Sequence, residues 1–361
     1  MPRRRARPRL RRSLALAATL LLCCGVTPTL VERAAAEKPG PKIVVAWLDD
    51  AQLAELRAAA PKARVVPVDN AAQAMAEIAD ADALLGLVNP ELLRAGAQLD
   101  WVQVYSAGVD RYQFPELTER DIVLTNAKVI QGPNVADQAM ALLLALTRGI
   151  HRAVELKAQR DWRGAREQLK QAKPGPIELD GKTALVVGLG GIGSAIAARA
   201  HGFGMKIIAV DPTVDKPRAG YIEAIVPPSE LRSMLPRTDV LFLAVPLTPE
   251  TEGMIGAEEF AALKPGAYLV NIARGKVVDT DAMVAALRGG SLAGAGLDVT
   301  EPEPLPPDHP LWTLENVVLT PHMGGTSDVV WERRMELLRE NVRRYVAGEP
   351  LRNVVDKQRG Y

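Results

Sequence analysis

A chain of 361 residues is long enough for two domains with full cores, and 48% apolar against 24% charged residues is the balance of a soluble globular protein. The formal net charge of +1 hides an asymmetry: residues 1–36 carry eight Arg and one Glu, leaving 36 basic against 42 acidic residues in the rest, with no basic footprint for nucleic acid. The two cysteines, Cys23 and Cys24, are adjacent in the N-terminal apolar run, which removes disulfides, thiolate nucleophiles and cysteine metal sites from the body of the protein.

Residues 1–12 hold seven arginines and no acid, Ser13–Val26 is an apolar run of signal-peptide length, and Ala34-Ala35-Ala36 offers an A-x-A cleavage site. Arg11-Arg12-Ser13-Leu14 adds a twin-arginine pattern, the route that carries folded, cofactor-loaded proteins. Residues 1–36 are therefore expected to be a signal peptide directing the protein to the periplasm, with a cytoplasmic location as the alternative. The apolar run is too short for a spanning helix, so no stable membrane insertion is expected after processing.

From Pro41 short apolar runs alternate with helical stretches. Ile43–Trp47, Arg64–Val68, Ala83–Val88, Trp101–Tyr105 and Ile122–Thr125 read as strands, with helices at about 51–60, 71–79 and 90–96. Alternating β and α implies a parallel sheet. This unit lacks a glycine fingerprint and is expected to be the substrate side. Val135–Ile150 is apolar on nearly every face, which predicts a helix buried on several sides, the crossover into a second domain and a homodimer contact.

Thr183–Asp211 carries the strongest signal. The run Ala184–Val187 reads as a strand buried on both faces. Gly188, Gly190 and Gly193, with Gly191 and Ile192 between the last two, fit G-x-G-x-x-G: a tight turn, a backbone approach to pyrophosphate, and close helix–strand packing. Such spacing arises by chance in about one chain in five of this composition, so context decides. Here the motif follows a strand, opens a helix and leads to a second strand, Lys206–Val210, closed by Asp211. That is where a dinucleotide fold places the carboxylate for the adenosine ribose, and its charge favours NAD over NADP. Further strands are expected at Val240–Val245, Ala267–Ile272, Gly294–Leu297 and Val317–Leu319, helices at about 229–235, 256–263 and 279–288, and an amphipathic helix at about 328–346. The fold class is α/β: two doubly wound parallel-sheet domains, one a Rossmann NAD-binding domain, with the active site in the cleft between them.

Ligands of open α/β sheets bind beyond the carboxyl ends of the strands. Three of those ends carry Arg274, then Asp298 with Glu301 and Glu303, then His322. An arginine fork suits the carboxylate of a 2-oxo acid, an imidazole suits proton exchange with its C2 oxygen, and a carboxylate orients the imidazole. Chemistry alone leaves Glu301 and Glu303 equivalent.

GLGGIG with Asp211, then VNIARG, GLDVTEPEP and TPHMGG, in that order and spacing, resemble the D-isomer-specific 2-hydroxyacid dehydrogenase family over about residues 41–355, in particular its glyoxylate/hydroxypyruvate reductase-like members. The resemblance implies that Arg274 binds substrate, that Glu303 is the carboxylate partner and that His322 is the acid/base. It places Ser106, Ala107 and Gly108 in the loop that holds the substrate carboxylate, and Asp298 at the nicotinamide end of the pocket. Pro246, Thr251, Ala273 and Gly324 fall with them on the cofactor side. It further implies a substrate domain of residues 41–134 and 326–361, a Rossmann domain of residues 135–325, NAD as cofactor, no metal, a small 2-oxo or 2-hydroxy acid as substrate and a homodimer. No regulatory extension is expected after the C-terminal helix, and Gln138 departs from the family's usual histidine. Alternatives are a phosphite dehydrogenase-like enzyme and an NAD-sensing binding scaffold.

Overall fold

A computed structural model describes residues 40–214 and 219–361; the expected signal peptide, residues 1–36, lies outside them. The first sheet contains β1 (Lys42–Ala46), β2 (Arg64–Val68), β3 (Ala83–Leu85), β4 (Trp101–Gln103) and β5 (Val123–Thr125), all parallel, in the order β2-β1-β3-β4-β5. Its helices are α1 (Asp50–Ala59), α2 (Ala71–Glu77), α3 (Pro90–Ala95) and α4 (Pro115–Thr118). The first three start where the side chains of Asp49, Asn70 and Asn89 accept from amides three residues on, satisfying donors that a helix start leaves free.

The chain crosses over through α5 (Gly132–Thr147), α6 (Ile150–Leu156) and α7 (Trp162–Gln171). There follow β6 (Thr183–Val187), α8 (Gly191–Gly202), β7 (Lys206–Val210), β8 (Ile222–Val226), α9 (Leu231–Met234), β9 (Val240–Leu243), α10 (Ala257–Ala262), β10 (Ala267–Asn271), α11 (Thr280–Gly289), β11 (Leu292–Leu297) and β12 (Val317–Leu319). These seven strands form a parallel sheet in the order β12-β11-β10-β9-β6-β7-β8. The order reverses at β6, which pairs with both β7 and β9, and this switch point opens a crevice at the carboxyl ends. Alternate residues of β6 enter different cores. Ala184 and Val186 face a layer shared with α5 and α8, while Leu185 and Val187 face one that includes Phe260 and Met283 from α10 and α11, so its uninterrupted apolar run reflects two-sided burial.

The final helix, α12 (Val330–Ala347), returns to the first sheet, where Met335, Leu338 and Val342 pack with Ile43, Val45, Leu56 and Trp101. The fully buried Asn341 donates to Gln103 at 3.0 Å and accepts from the Arg352 amide at 2.8 Å, fastening the chain's last turn.

Three expectations change. The single helix at 135–150 is two, because Gly149 at φ +65° breaks it between α5 and α6. Its apolar surface is also satisfied inside the protein. Val135, Ala139, Met140, Leu143 and Leu146 are buried in the core, and β11 accommodates the helix with Gly296, where a Cβ would lie 2.8 Å from Leu142. The apolarity of α5 therefore does not require a dimer contact. Finally, β8 was not anticipated: it is an edge strand whose residues are mostly half-buried, so its apolar signal is weak.

Candidate active site

The crevice at the switch point is built by glycines. Gly188 turns the chain at φ +91°, and a Cβ there would lie 2.6 Å from the Ala244 carbonyl oxygen; at Gly193 a Cβ would stand 1.8 Å from the Gly188 carbonyl oxygen, so only glycine lets α8 pack this closely. Gly190 is different, with nothing within 4 Å of a Cβ: open space at the start of a twelve-residue helix that no side chain caps. That is a cradle with free first-turn amides for a pyrophosphate. Gly191 backs onto Val129 of the crossover, and Ile192 packs on the core.

Asp211 ends β7 and closes the turn. Its Oδ2 accepts from the Leu189 amide at 2.8 Å, and its Oδ1 accepts from the Thr213 amide and hydroxyl and the Val214 amide. Burial alone would raise its pKa, but these hydrogen bonds outweigh it and hold the carboxyl below its ordinary value of 3.8. Beyond β9 the Thr251 hydroxyl donates to the Pro246 carbonyl at 2.7 Å and accepts from the Thr248 amide at 2.9 Å, which folds the 246–251 loop along the other wall.

Past β10, the Asn271 side chain bridges the Ala273 amide and the Arg274 carbonyl, fixing the turn that launches Arg274. The guanidinium reaches the loop after β4. Its Nε donates to Asp110 Oδ1 at 3.1 Å, its Nη2 lies 3.0 Å from the same oxygen, and its Nη1 donates to the Ala273 carbonyl at 2.7 Å. A Cβ on Gly108 would fall 1.8 Å from Nη2, so this glycine is needed for the arginine to lie on the loop. Ser106 donates to the Gly108 carbonyl and Asn126 to the Ala107 carbonyl, which stiffens the loop on its own side. Arg274 and Ser106–Gly108 thus meet across the two sheets.

At the end of β12 the His322 Nδ1 lies 2.7 Å from Glu303 Oε1, with the two side chains 36% and 41% exposed. Asp298, the residue just past β11, is 3% exposed. It accepts from the Thr320 hydroxyl at 2.6 Å and from the Met323 and Gly324 amides at 3.0 and 2.8 Å. Both of its oxygens are thus engaged by the 320–324 loop, which carries His322. Gln138 explains itself in the same network, donating to the Thr320 hydroxyl at 2.9 Å, while Asn134 donates to the Gly324 carbonyl at 2.8 Å. Among the described residues Glu301 makes no ion pair with His322.

Asp110 and Arg334 were not singled out from sequence. Asp110 is a short polar residue two positions past Gly108, and that proximity was its only signal. Arg334 is one of five arginines on α12, and nothing in the pattern separates it from the others.

A glycine-turn helix at a switch point, with Arg, Glu and His at neighbouring strand ends, defines a nicotinamide-dependent oxidoreductase. The chain belongs to the D-isomer specific 2-hydroxyacid dehydrogenase family, whose NAD binding domain matches residues 140–324. It is similar to a glyoxylate reductase of Korarchaeum cryptofilum, 38% identical over 287 residues, 78% of this chain and 84% of that protein. Among solved structures it resembles a D-isomer specific 2-hydroxyacid dehydrogenase family protein from Aeromonas salmonicida, with a TM-score of 0.75 and 32% identity over 88% of this chain and 99% of that one. It also resembles an NADPH-dependent glyoxylate/hydroxypyruvate reductase from Sinorhizobium meliloti in complex with NADP and malonate, with a TM-score of 0.71 and 31% identity over 88% of this chain and 98% of that one. The protein is accordingly an NAD(P)-dependent oxidoreductase acting on CH–OH donors.

Proposed function

We propose that the protein reduces a small 2-oxo acid to the D-2-hydroxy acid, and runs the reverse oxidation through the same groups, with glyoxylate and hydroxypyruvate as the first substrates to test. The observation that carries this reading is the His322–Glu303 pair, 2.7 Å apart and open to solvent, two strand ends away from an Arg274 that has crossed to the Ser106–Gly108 loop. Arg274 keeps N–H donors on Nη1 and Nη2 beyond those given to Asp110 and Ala273, and a guanidinium with two free donors suits the carboxylate of the acid. The amides of the Ser106–Gly108 loop hold that carboxylate from the other side. His322 gives a proton to the C2 oxygen in reduction and takes it in oxidation, while Glu303 holds the ring through Nδ1 and leaves Nε2 for substrate.

The glycine turn, the α8 amides and Asp211 fit a dinucleotide, which when bound supplies or accepts the hydride at C2. Asp211 supports NAD over NADP in this reading, because a carboxylate held ionised by four donors repels a 2′-phosphate. The domain boundaries proposed are 134/135 and 325/326, and closure about them would exclude water from the site.

A homodimer remains part of the reading, but its support moves to the α6–α7 arm. Neither helix there has a buried residue, while Ile150, Val154 and Trp162 expose large apolar side chains. Export rests on the Arg11-Arg12-Ser13-Leu14 pattern and is tested by cell fractionation. No helix among the described residues is long and apolar enough to cross a membrane.

The test is NADH and NADPH oxidation with glyoxylate, hydroxypyruvate, pyruvate and longer 2-oxo acids. Turnover of one of them with preference for NADH supports the reading. Tight NADH binding without turnover of any overturns it, and reduction of NAD+ by phosphite, read in a separate assay, would then identify the other enzyme class.

A further inference from the structure

One cation beside Tyr105, Arg334, has no hydrogen-bond or ion-pair partner among the described residues. At the carboxyl ends of β1 and β4, Trp47 packs edge-on against Tyr105 with ring centres 6.2 Å apart, and Tyr105 packs against Trp331 of α12 at 5.8 Å. The Tyr105 ring lies so close over Gly86, past β3, that a Cβ there would be 2.8 Å away, and its hydroxyl donates to the Ala46 carbonyl. The Arg334 guanidinium stands 4.6 Å from the Trp331 ring centre and 5.6 Å from that of Tyr105. Its Nε is sealed from solvent without an acceptor, and none of its nitrogens has a hydrogen-bond or ion-pair partner among the described residues.

The contrast lies on the same helix. Arg333 is held by the Ile130 carbonyl, Arg339 by Glu55, and Arg343 and Arg344 by Glu340 and Glu349. A half-buried guanidinium has lost water, and stacking on aromatic faces restores only part of that loss. Burial accordingly pulls the Arg334 pKa down from its ordinary value, with Tyr105 opposing it weakly. Such a group is costly unless something accepts its hydrogen bonds. The strands are parallel, so Trp47, Tyr105 and the start of α12 share one edge, and Tyr105 leads directly into the Ser106–Gly108 loop on which Arg274 lies.

We propose that Arg334 is a specificity-determining residue whose guanidinium terminus receives an anionic group, carboxylate or phosphate, at the far end of the 2-oxo acid, with Trp47, Tyr105 and Trp331 as walls. This rests on the reading of the site as a 2-oxo acid reductase. Arg274 takes the near carboxylate and Arg334 the far one, so the site is matched to a substrate with charge at both ends. An acid without a tail, such as glyoxylate, leaves Arg334 unused.

The experiment compares full-length wild type with Arg334→Met and Arg334→Lys, using glyoxylate, hydroxypyruvate, oxaloacetate and 3-phosphohydroxypyruvate; the last two distinguish a carboxylate from a phosphate tail. Wild type should prefer one anion-tailed acid to hydroxypyruvate by about tenfold or more. In Arg334→Met the ratio of kcat/KM for that acid to kcat/KM for glyoxylate should fall about 10- to 100-fold, chiefly through KM, the range expected for a hydrogen bond to a charged group, and Arg334→Lys should restore part of it. A wild type without preference for anionic tails overturns the proposal, as does an Arg334→Met ratio within about threefold of wild type, including the case where all substrates and the melting temperature fall together. Failure of the underlying reading looks different: wild type then reduces no 2-oxo acid, glyoxylate included, and the proposal falls with it.

Discussion

Asp298 and Glu303 sit five residues apart beyond β11, and the structure gives them opposite work. Asp298 is 3% exposed and its oxygens serve a hydroxyl and two amides of the 320–324 loop. Glu303 is 41% exposed in its side chain, and its Oε1 meets the His322 ring. A saturated, buried carboxylate holds a loop in place, and an open one can orient the ring it meets. In the proposed reaction Asp298 holds the loop that carries His322 and Glu303 orients its ring.

Mutation should separate these tasks. The largest effect is expected for Asp298→Ala, which strands three donors and should cost about 3 kcal/mol in a denaturant melt, with activity lost in step. Glu303→Gln should do the reverse. The amide oxygen still accepts from Nδ1 but carries no charge, so kcat should fall by about tenfold, part of the 10²-fold or more that positioned proton transfer provides, while the melt stays within about 0.5 kcal/mol of wild type. A smaller effect tests Asp211, which is caught by amides as Asp298 is but stands nearer to solvent. Its folded pKa lies below 3.8, so the stability contributed by its ionised form is present above that pH and lost as the pH falls through the folded value. The stability gap between wild type and Asp211→Asn should therefore be widest above pH 3.8 and close on acidification; a gap that widens in acid would contradict the assignment.

Much of this was legible because the informative residues fall at strand ends. The uninterrupted apolar runs of β6, β10 and β11 announced buried parallel strands, and the glycine turn between β6 and α8 announced itself by offsets that only backbone contacts explain. Arg274 and His322 drew attention because their motifs stood after such runs, whereas Glu303 was separated from Glu301 only by the family resemblance. The sequence was silent where a side chain's partner comes from a distant segment. That Arg274 lands on Gly108 and Asp110, that Gln138 reaches Thr320, and that α5 buries its apolar faces at home all depend on contacts between distant segments. Arg334 was invisible for the same reason, since being unpaired is a property of surroundings, and β8 because an edge strand buries too little to show a pattern.

In the proposed reaction His322 moves the proton at C2. Its most direct test is kcat for His322→Ala with NADH and whichever 2-oxo acid the wild type reduces best, alongside a melt. kcat should fall by at least about 10²-fold with the fold intact, since the side chain is 36% exposed and its loop is fastened by Asp298. Near-normal turnover would remove His322 from the chemistry and leave the His322–Glu303 pair as a surface contact.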